Sequence, residues 1–279
     1  MAADRQFVAT ALREDNTPRA AAHAYVNFGW RYLHSSSPVV AIKRFNRAWL
    51  LDSTLADVYY GFSACLQHQG QTAEAERFRQ LGQGHDAGNQ ALIRYYGSLA
   101  YGQSLRRDYA GALATNARIL ALDANNAFAN SRAGFWYMQQ ADTAQASRYL
   151  TRAVALAPQD SVSFLNRGWL RYGQKRYAAA TADFTAAIQV NPHYLSAYAN
   201  RALAYADAAN YPAAIADYEQ CLRLVPPRDK GQIYRAIGAA KLKLQDQTGA
   251  CQAFQQALQW GDTPAMEKEI RRLQKSNCR

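Results

Sequence analysis

Between residues 161 and 228 the apolar and polar positions of the chain repeat with a period of 34. The block SVSFLNRGWLRYGQKRYAAATADFTAAIQVNPHY is followed by LSAYANRALAYADAANYPAAIADYEQCLRLVPPR. Phe164 recurs as Tyr198, Asn166 as Asn200, Arg167 as Arg201, Tyr177 as Tyr211, Ala180 as Ala214, Phe184 as Tyr218 and Pro192 as Pro226. Within each block apolar residues return three and four positions apart, as an amphipathic helix requires. The pattern predicts a helix over about residues 161–174, a turn at 175–176 and a second helix over about 178–190.

The same pattern extends in both directions. It predicts seven units, at 22–55, 56–89, 93–126, 127–160, 161–194, 195–228 and 231–264. Two short insertions interrupt the count, Gln90 to Leu92 and Asp229 with Lys230. The register is carried by small residues where two helices of a unit cross. Position 8 holds Gly29, Ser63, Ala100, Gly134, Gly168, Ala202 and Gly238. Position 20 holds Ala41, Ala75, Ala112, Ala146, Ala180, Ala214 and Ala250. A larger side chain there would force the axes beyond the usual ~8–10 Å. The large positions are looser. Position 24 holds Phe45, Leu150, Phe184, Tyr218 and Phe254, but Arg79 and Asn116 in the second and third units. Between these two units the run LGQGHDAGN reads as a flexible or bent joint.

A period of 34 with these small and large positions resembles the tetratricopeptide (TPR) repeat family. The resemblance covers most of the chain. It implies an all-α, right-handed α-solenoid of about seven helix-turn-helix units with terminal cap helices. At the start (residues 1–21), Phe7, Val8 and Leu12 suggest a short cap helix, and Thr17 with Pro18 reads as the cap and first position of the next helix. At the end (265–279), Thr263 and Pro264 repeat that signal, and Met266, Ile270 and Leu273 share one face of a closing helix.

Charge and composition narrow the chemistry. Net charge is +11 with 32 Lys and Arg against 21 Asp and Glu, which favours acidic partners through long-range attraction. The basic residues are dispersed rather than clustered in a tail, so nucleic acid is a poor expectation. On the second helices Lys43, Arg44, Arg47, Arg77, Arg118, Arg148 and Arg152 could instead form a basic outer face for assembly, or simply a solvated one. No apolar run approaches the ~20 residues of a membrane span. Neither GxxxxGK[ST], GxSxG nor HExxH occurs, and the five histidines make no ligand pair, so no enzyme, cofactor or metal site is expected. His34 and His68 share position 13 of consecutive units.

The four cysteines form no CxxC pair. Cys65 and Cys221 read as small core residues. Cys251 and Cys278 lie at ends that an antiparallel pairing of the last two helices would bring together. They are either a disulfide, which implies an oxidising compartment, or two ordinary thiols.

In TPR arrays the first helices line the concave surface, and positions 5, 6 and 9 fall on one stripe. That stripe predicts a partner-binding groove of aromatics and amides: Asn27, Trp30, Tyr60, Tyr101, Phe135, Asn166, Trp169 and Asn200. Some TPR relatives hold peptide backbone with position-6 asparagines, and the resemblance implies that role for Asn27, Asn166 and Asn200. The alternative is that these aromatics pack on the next helix and the amides satisfy local backbone. The carboxylate clamp of chaperone-binding TPR domains is absent, since its positions hold Val26 and Trp30, Gly97 and Tyr101, Ser131 and Phe135, and Leu165 and Trp169. The stretch AIKRFNRAWLLDSTLADVYYGFSA and the ending GACQAFQQALQWGD resemble exported TPR proteins of Gram-negative bacteria, often lipid-anchored. That resemblance implies a periplasmic or exported protein, with a cytoplasmic one as the alternative. The expected function is a non-catalytic scaffold binding a peptide or protein partner.

Overall fold

The computed structural model describes residues 17–35, 37–226, 230–261 and 264–278. The expected helix through Phe7, Val8 and Leu12, and the Thr263 cap, lie outside these residues. Among the described residues there are fifteen α-helices and no strand. The chain divides into two compact units, residues 1–129 and 130–279.

The first unit holds three helix pairs: α1 (Pro18–His34) with α2 (Pro38–Leu51), α3 (Ala56–His68) with α4 (Thr72–Gly84), and α5 (Gln90–Leu105) with α6 (Tyr109–Leu122). Helix α7 (Ala127–Gln139) begins at the end of this unit and continues into the second. There follow α8 (Thr143–Leu156), α9 (Ser161–Gly173), α10 (Tyr177–Val190), α11 (Leu195–Asp207), α12 (Tyr211–Leu224), α13 (Lys230–Lys243), α14 (Gln247–Trp260) and the closing α15 (Pro264–Asn277). This is an all-α helical-repeat architecture. Within units, α9 packs on α10, α11 on α12 and α13 on α14, while α10 also meets α11 and α12 meets α13.

The small positions explain the pairing. All seven position-20 alanines are buried. At position 8, a Cβ added to Gly168 would stand 2.6 Å from the Phe184 ring, and one added to Gly238 would stand 2.5 Å from Phe254. The ring at position 24 therefore lies directly on the backbone of the facing helix. Phe45, Phe184 and Phe254 are fully buried there, each contributing roughly 1.5–3 kcal/mol by removal from water.

Turns and caps repeat as regularly. Asp108, Asp142, Asn210 and Asp246 each accept a hydrogen bond from the backbone N–H three residues on, at 2.8–3.3 Å. In six of the pairs the middle residue of the turn is left-handed: Gly70, Arg107, Ala141, Lys175, Ala209 and Gln245, with φ between 58° and 78°. Only one of these is glycine, the residue that adopts this region without strain.

The insertion Gln90 to Leu92 forms the first turn of α5. The glycine-rich segment before it, expected as a flexible or bent joint, lies inside the first compact unit, which ends at Ala129. A set of ties crosses it. Asp86 accepts from the N–H groups of Ala91 and Leu92, Arg94 of α5 pairs with Asp57 of α3, and Tyr60 of α3 stacks on Tyr95 of α5 at 5.2 Å.

At the far end α15 covers the last pair. Ile270 is fully buried in a cluster with Ala250, Phe254 and Ala257, and Leu273 packs against it. Cys251 and Cys278 are joined by a disulfide, with Cα atoms 5.7 Å apart. Cys65 and Cys221 are buried thiols, and burial pushes both up to about 12.

Candidate functional site

The residues singled out for the groove fall into both compact units, so each group stands by itself. In the second unit they lie on three first helices. Phe135 of α7 and Trp169 of α9 are 38% and 43% exposed, high for rings of this size. The Trp169 ring stacks on Tyr172, one turn further along α9, at 5.1 Å. Tyr172 donates its hydroxyl to Asp207 at the end of α11. Burial, followed by that carboxylate, pushes the phenol well above its ordinary range. Trp169 is thus supported from beneath while its other face remains open. Asn166 of α9 and Asn200 of α11 are half-buried, and among the described residues neither side chain has a hydrogen-bond partner. Helices α9 and α11 are in contact, and Val162, exposed on the first turn of α9, adds an apolar edge. Such a surface offers a large ring for apolar contact and two amides, each able to donate to and accept from a backbone.

The first unit departs from the expectation. Trp30 is only 8% exposed, edge-on to Phe45 at 5.5 Å and beside Tyr95 at 6.2 Å. Tyr60 is fully buried on Tyr95, and burial raises its phenol far above the ordinary value. Both are core residues, not groove residues. The physical cause is that α3 packs directly on both α1 and α5, so the stripe meets a neighbouring helix instead of solvent. Asn27 and Tyr101 do reach the surface, and Tyr101 meets His34 edge-on at 5.0 Å.

Sequence reasoning missed the partners of the repeated arginines. Arg167 makes a forked pair with Asp183 through three bonds at 2.7–3.2 Å, and Arg171 adds a fourth guanidinium bond at 2.7 Å. One period later Arg201 forks onto Asp217, both bonds at 2.7 Å, and reaches Thr185 of the preceding pair at 2.9 Å. The signal was present: Asp183 and Asp217 stand 34 apart, inside ADF and ADY. These buried pairs lock first helix to second helix.

The basic residues of the second helices are also partly engaged. Arg44 lies over Tyr32, Arg47 over Tyr25, Arg118 over Tyr96 and Arg148 over Tyr149, at 5.5–5.9 Å. Arg77 pairs with Glu74 on the same helix. No group of three or more His, Cys, Asp or Glu that could hold a metal ion occurs among the described residues. No helix among them is long and apolar enough to cross a membrane.

Residues 195–226, which are α11 and α12, match the tetratricopeptide repeat family model. No curated protein sequence matches the chain. Solved structures share the fold. A MamA protein aligns at 23% identity with a TM-score of 0.55, over 60% of this chain and 91% of that one. YrrB, described as a TPR protein with an unusual peptide-binding site, aligns at 16% identity and TM-score 0.56, over 67% and 98%. A tetratricopeptide repeat protein from Parabacteroides merdae aligns at 17% identity and TM-score 0.50, over 89% and 96%.

Proposed function

We propose that this chain, a TPR-type helical-repeat protein, is a non-catalytic scaffold that binds a protein partner through an extended peptide laid across α9 and α11. The observation that carries the reading is Trp169, a large ring braced by Tyr172 yet open to solvent, beside two amides with unspent hydrogen-bonding capacity. Trp169 and Phe135 would supply apolar contact, while Asn166 and Asn200 would hold peptide backbone. YrrB, a neighbour in fold, carries a peptide-binding site, which makes a peptide the first class to test. The net charge of +11 favours an acidic one. The disulfide between Cys251 and Cys278 supports an exported, oxidising setting for the scaffold.

The test is selection of peptides from a displayed library on the full chain, then affinity by fluorescence polarisation. Trp169→Ala and Asn166→Ala should each weaken the selected peptides at least tenfold, with unchanged helicity by circular dichroism. Unchanged affinity in both variants would remove the peptide surface from α9.

A further inference from the structure

The first unit contains a feature that the peptide surface does not use. Helices α1, α3, α4, α5 and α6 enclose a cavity of about 570 Å³, within the range that small-molecule sites occupy. Its origin can be read from the repeat. At position 24 four of the other six pairs place Phe45, Leu150, Phe184 and Phe254, all fully buried plugs between helices, while the third and sixth have Asn116 and Tyr218. In α4 that position is Arg79, whose side chain is 25% exposed and turns to Glu76. The hydrophobic plug is missing, so the space between α4 and α5 remains open and has a polar lining.

The charge of that lining is unbalanced. Glu76 is its one carboxylate, and it is held by Arg79 and by Gln80, whose Nε2 donates at 3.1 Å. Arg106, at the end of α5, and Arg118, on α6, also line the cavity. Neither pairs with a carboxylate among the described residues. Arg118 lies over the Tyr96 ring at 5.5 Å, which positions the guanidinium without neutralising it. A guanidinium presents a planar fork of donors that matches a carboxylate or a phosphate. The rest of the wall is mixed: the rings of Trp30, Tyr95 and Tyr96, the aliphatic Leu33, Leu99 and Leu105, the imidazoles of His34 and His68, and the amides of Gln67 and Gln103.

We propose that this cavity is a binding site for a small organic anion, with its carboxylate or phosphate head on Arg106 and Arg118 and a flat apolar body against Trp30, Tyr95 and Tyr96. The site is independent of the α9–α11 surface, and the two stand or fall separately.

The experiment is isothermal titration of the full chain with 2-naphthoate, 1-naphthyl phosphate and the neutral 2-naphthamide. One anion should bind saturably at one per chain, and the stronger of the two identifies the head group. The amide should bind at least tenfold more weakly. The double variant Arg106→Ala/Arg118→Ala, changed only at exposed positions, should lose at least tenfold in affinity. Arg79→Phe, which places at this position the plug of the first, fifth and seventh repeats, should abolish binding, and Trp169→Ala should leave it unchanged. The proposal is overturned if neither anion saturates, if the amide binds as well as the anions, or if a folded Arg106→Ala/Arg118→Ala chain binds like the parent.

Discussion

The ion pair between Asp57 and Arg94 should show which of its two partners the fold depends on. Both oxygens of Asp57 accept from the Arg94 guanidinium at 2.7 Å. The side chains are unequally placed, Asp57 being 4% exposed and Arg94 54%. Arg94→Ala leaves a carboxylate buried without its partner. Breaking a buried pair in this way costs about 3–5 kcal/mol. The lower end applies, because Asp57 lies in the first turn of α3, where the helix N-terminus still favours negative charge. Asp57→Ala leaves instead a guanidinium already half in water, and about 1 kcal/mol is expected. The expected gap of ~2 kcal/mol corresponds to roughly a thirtyfold difference in the unfolding equilibrium. Urea unfolding followed by circular dichroism at 222 nm measures it. Equal costs for the two variants, or a larger one for Asp57→Ala, would refute the reasoning.

Three further outcomes follow from the geometry. Ala209→Gly, at the left-handed residue between α11 and α12 with φ 58°, should stabilise the chain by about 0.5–1 kcal/mol, as relief of a ~1–2 kcal/mol strain exceeds the added freedom of the unfolded glycine; a lower urea midpoint would contradict this. Reducing the bond between Cys251 and Cys278, 27 residues apart, should cost about 3–4 kcal/mol in the loop-entropy account, seen as faster hydrogen exchange in α15 with the amides of α9 to α12 unaffected. The thiols of Cys65 and Cys221 are raised to about 12 by burial, so the unfolded chain releases those protons first as pH rises above ~8.5. Stability from this source is complete below that value and declines up to about 12, and substitution of both cysteines by alanine should flatten the decline measured by urea titration.

The fold was legible because two positions of the repeat have little freedom. An alanine at position 20 and a glycine or small residue at position 8 are forced by close helix crossing, and no neighbouring unit can alter that. The site was legible only in part. Trp30 and Trp169 occupy the same repeat position, yet one is buried and the other open. Periodicity tells which way a side chain points from its own helix. It does not tell how close the next first helix comes, and in the first unit α3 comes close enough to α1 and α5 to bury the stripe. The Arg–Asp forks were visible as a second 34-residue spacing, but a lone acidic residue on an alanine-rich helix reads as solvated until its guanidinium is seen. Arg79 stood out as a departure from the large positions. The cavity it leaves needed coordinates, because a void is a property of five helices together.

The turns inside the helix pairs carry a consequence for how the chain tolerates change. Each of the described links at 69–71, 106–108, 140–142, 174–176, 208–210 and 244–246 is three residues long, with its middle residue left-handed. Links between pairs vary: α4 and α5 are separated by five residues where α6 and α7 are separated by four. Both departures from the 34-residue period lie in these outer links or the helix starts beside them. Chain length is therefore quantised inside a pair and elastic between pairs. A reporter domain spliced between His85 and Asp86, ahead of the Asp86 cap of α5, would be carried as cargo, whereas a splice at Lys175 would pull apart Arg167 and Asp183. The outer links are also where the chain could be cut into complementing halves.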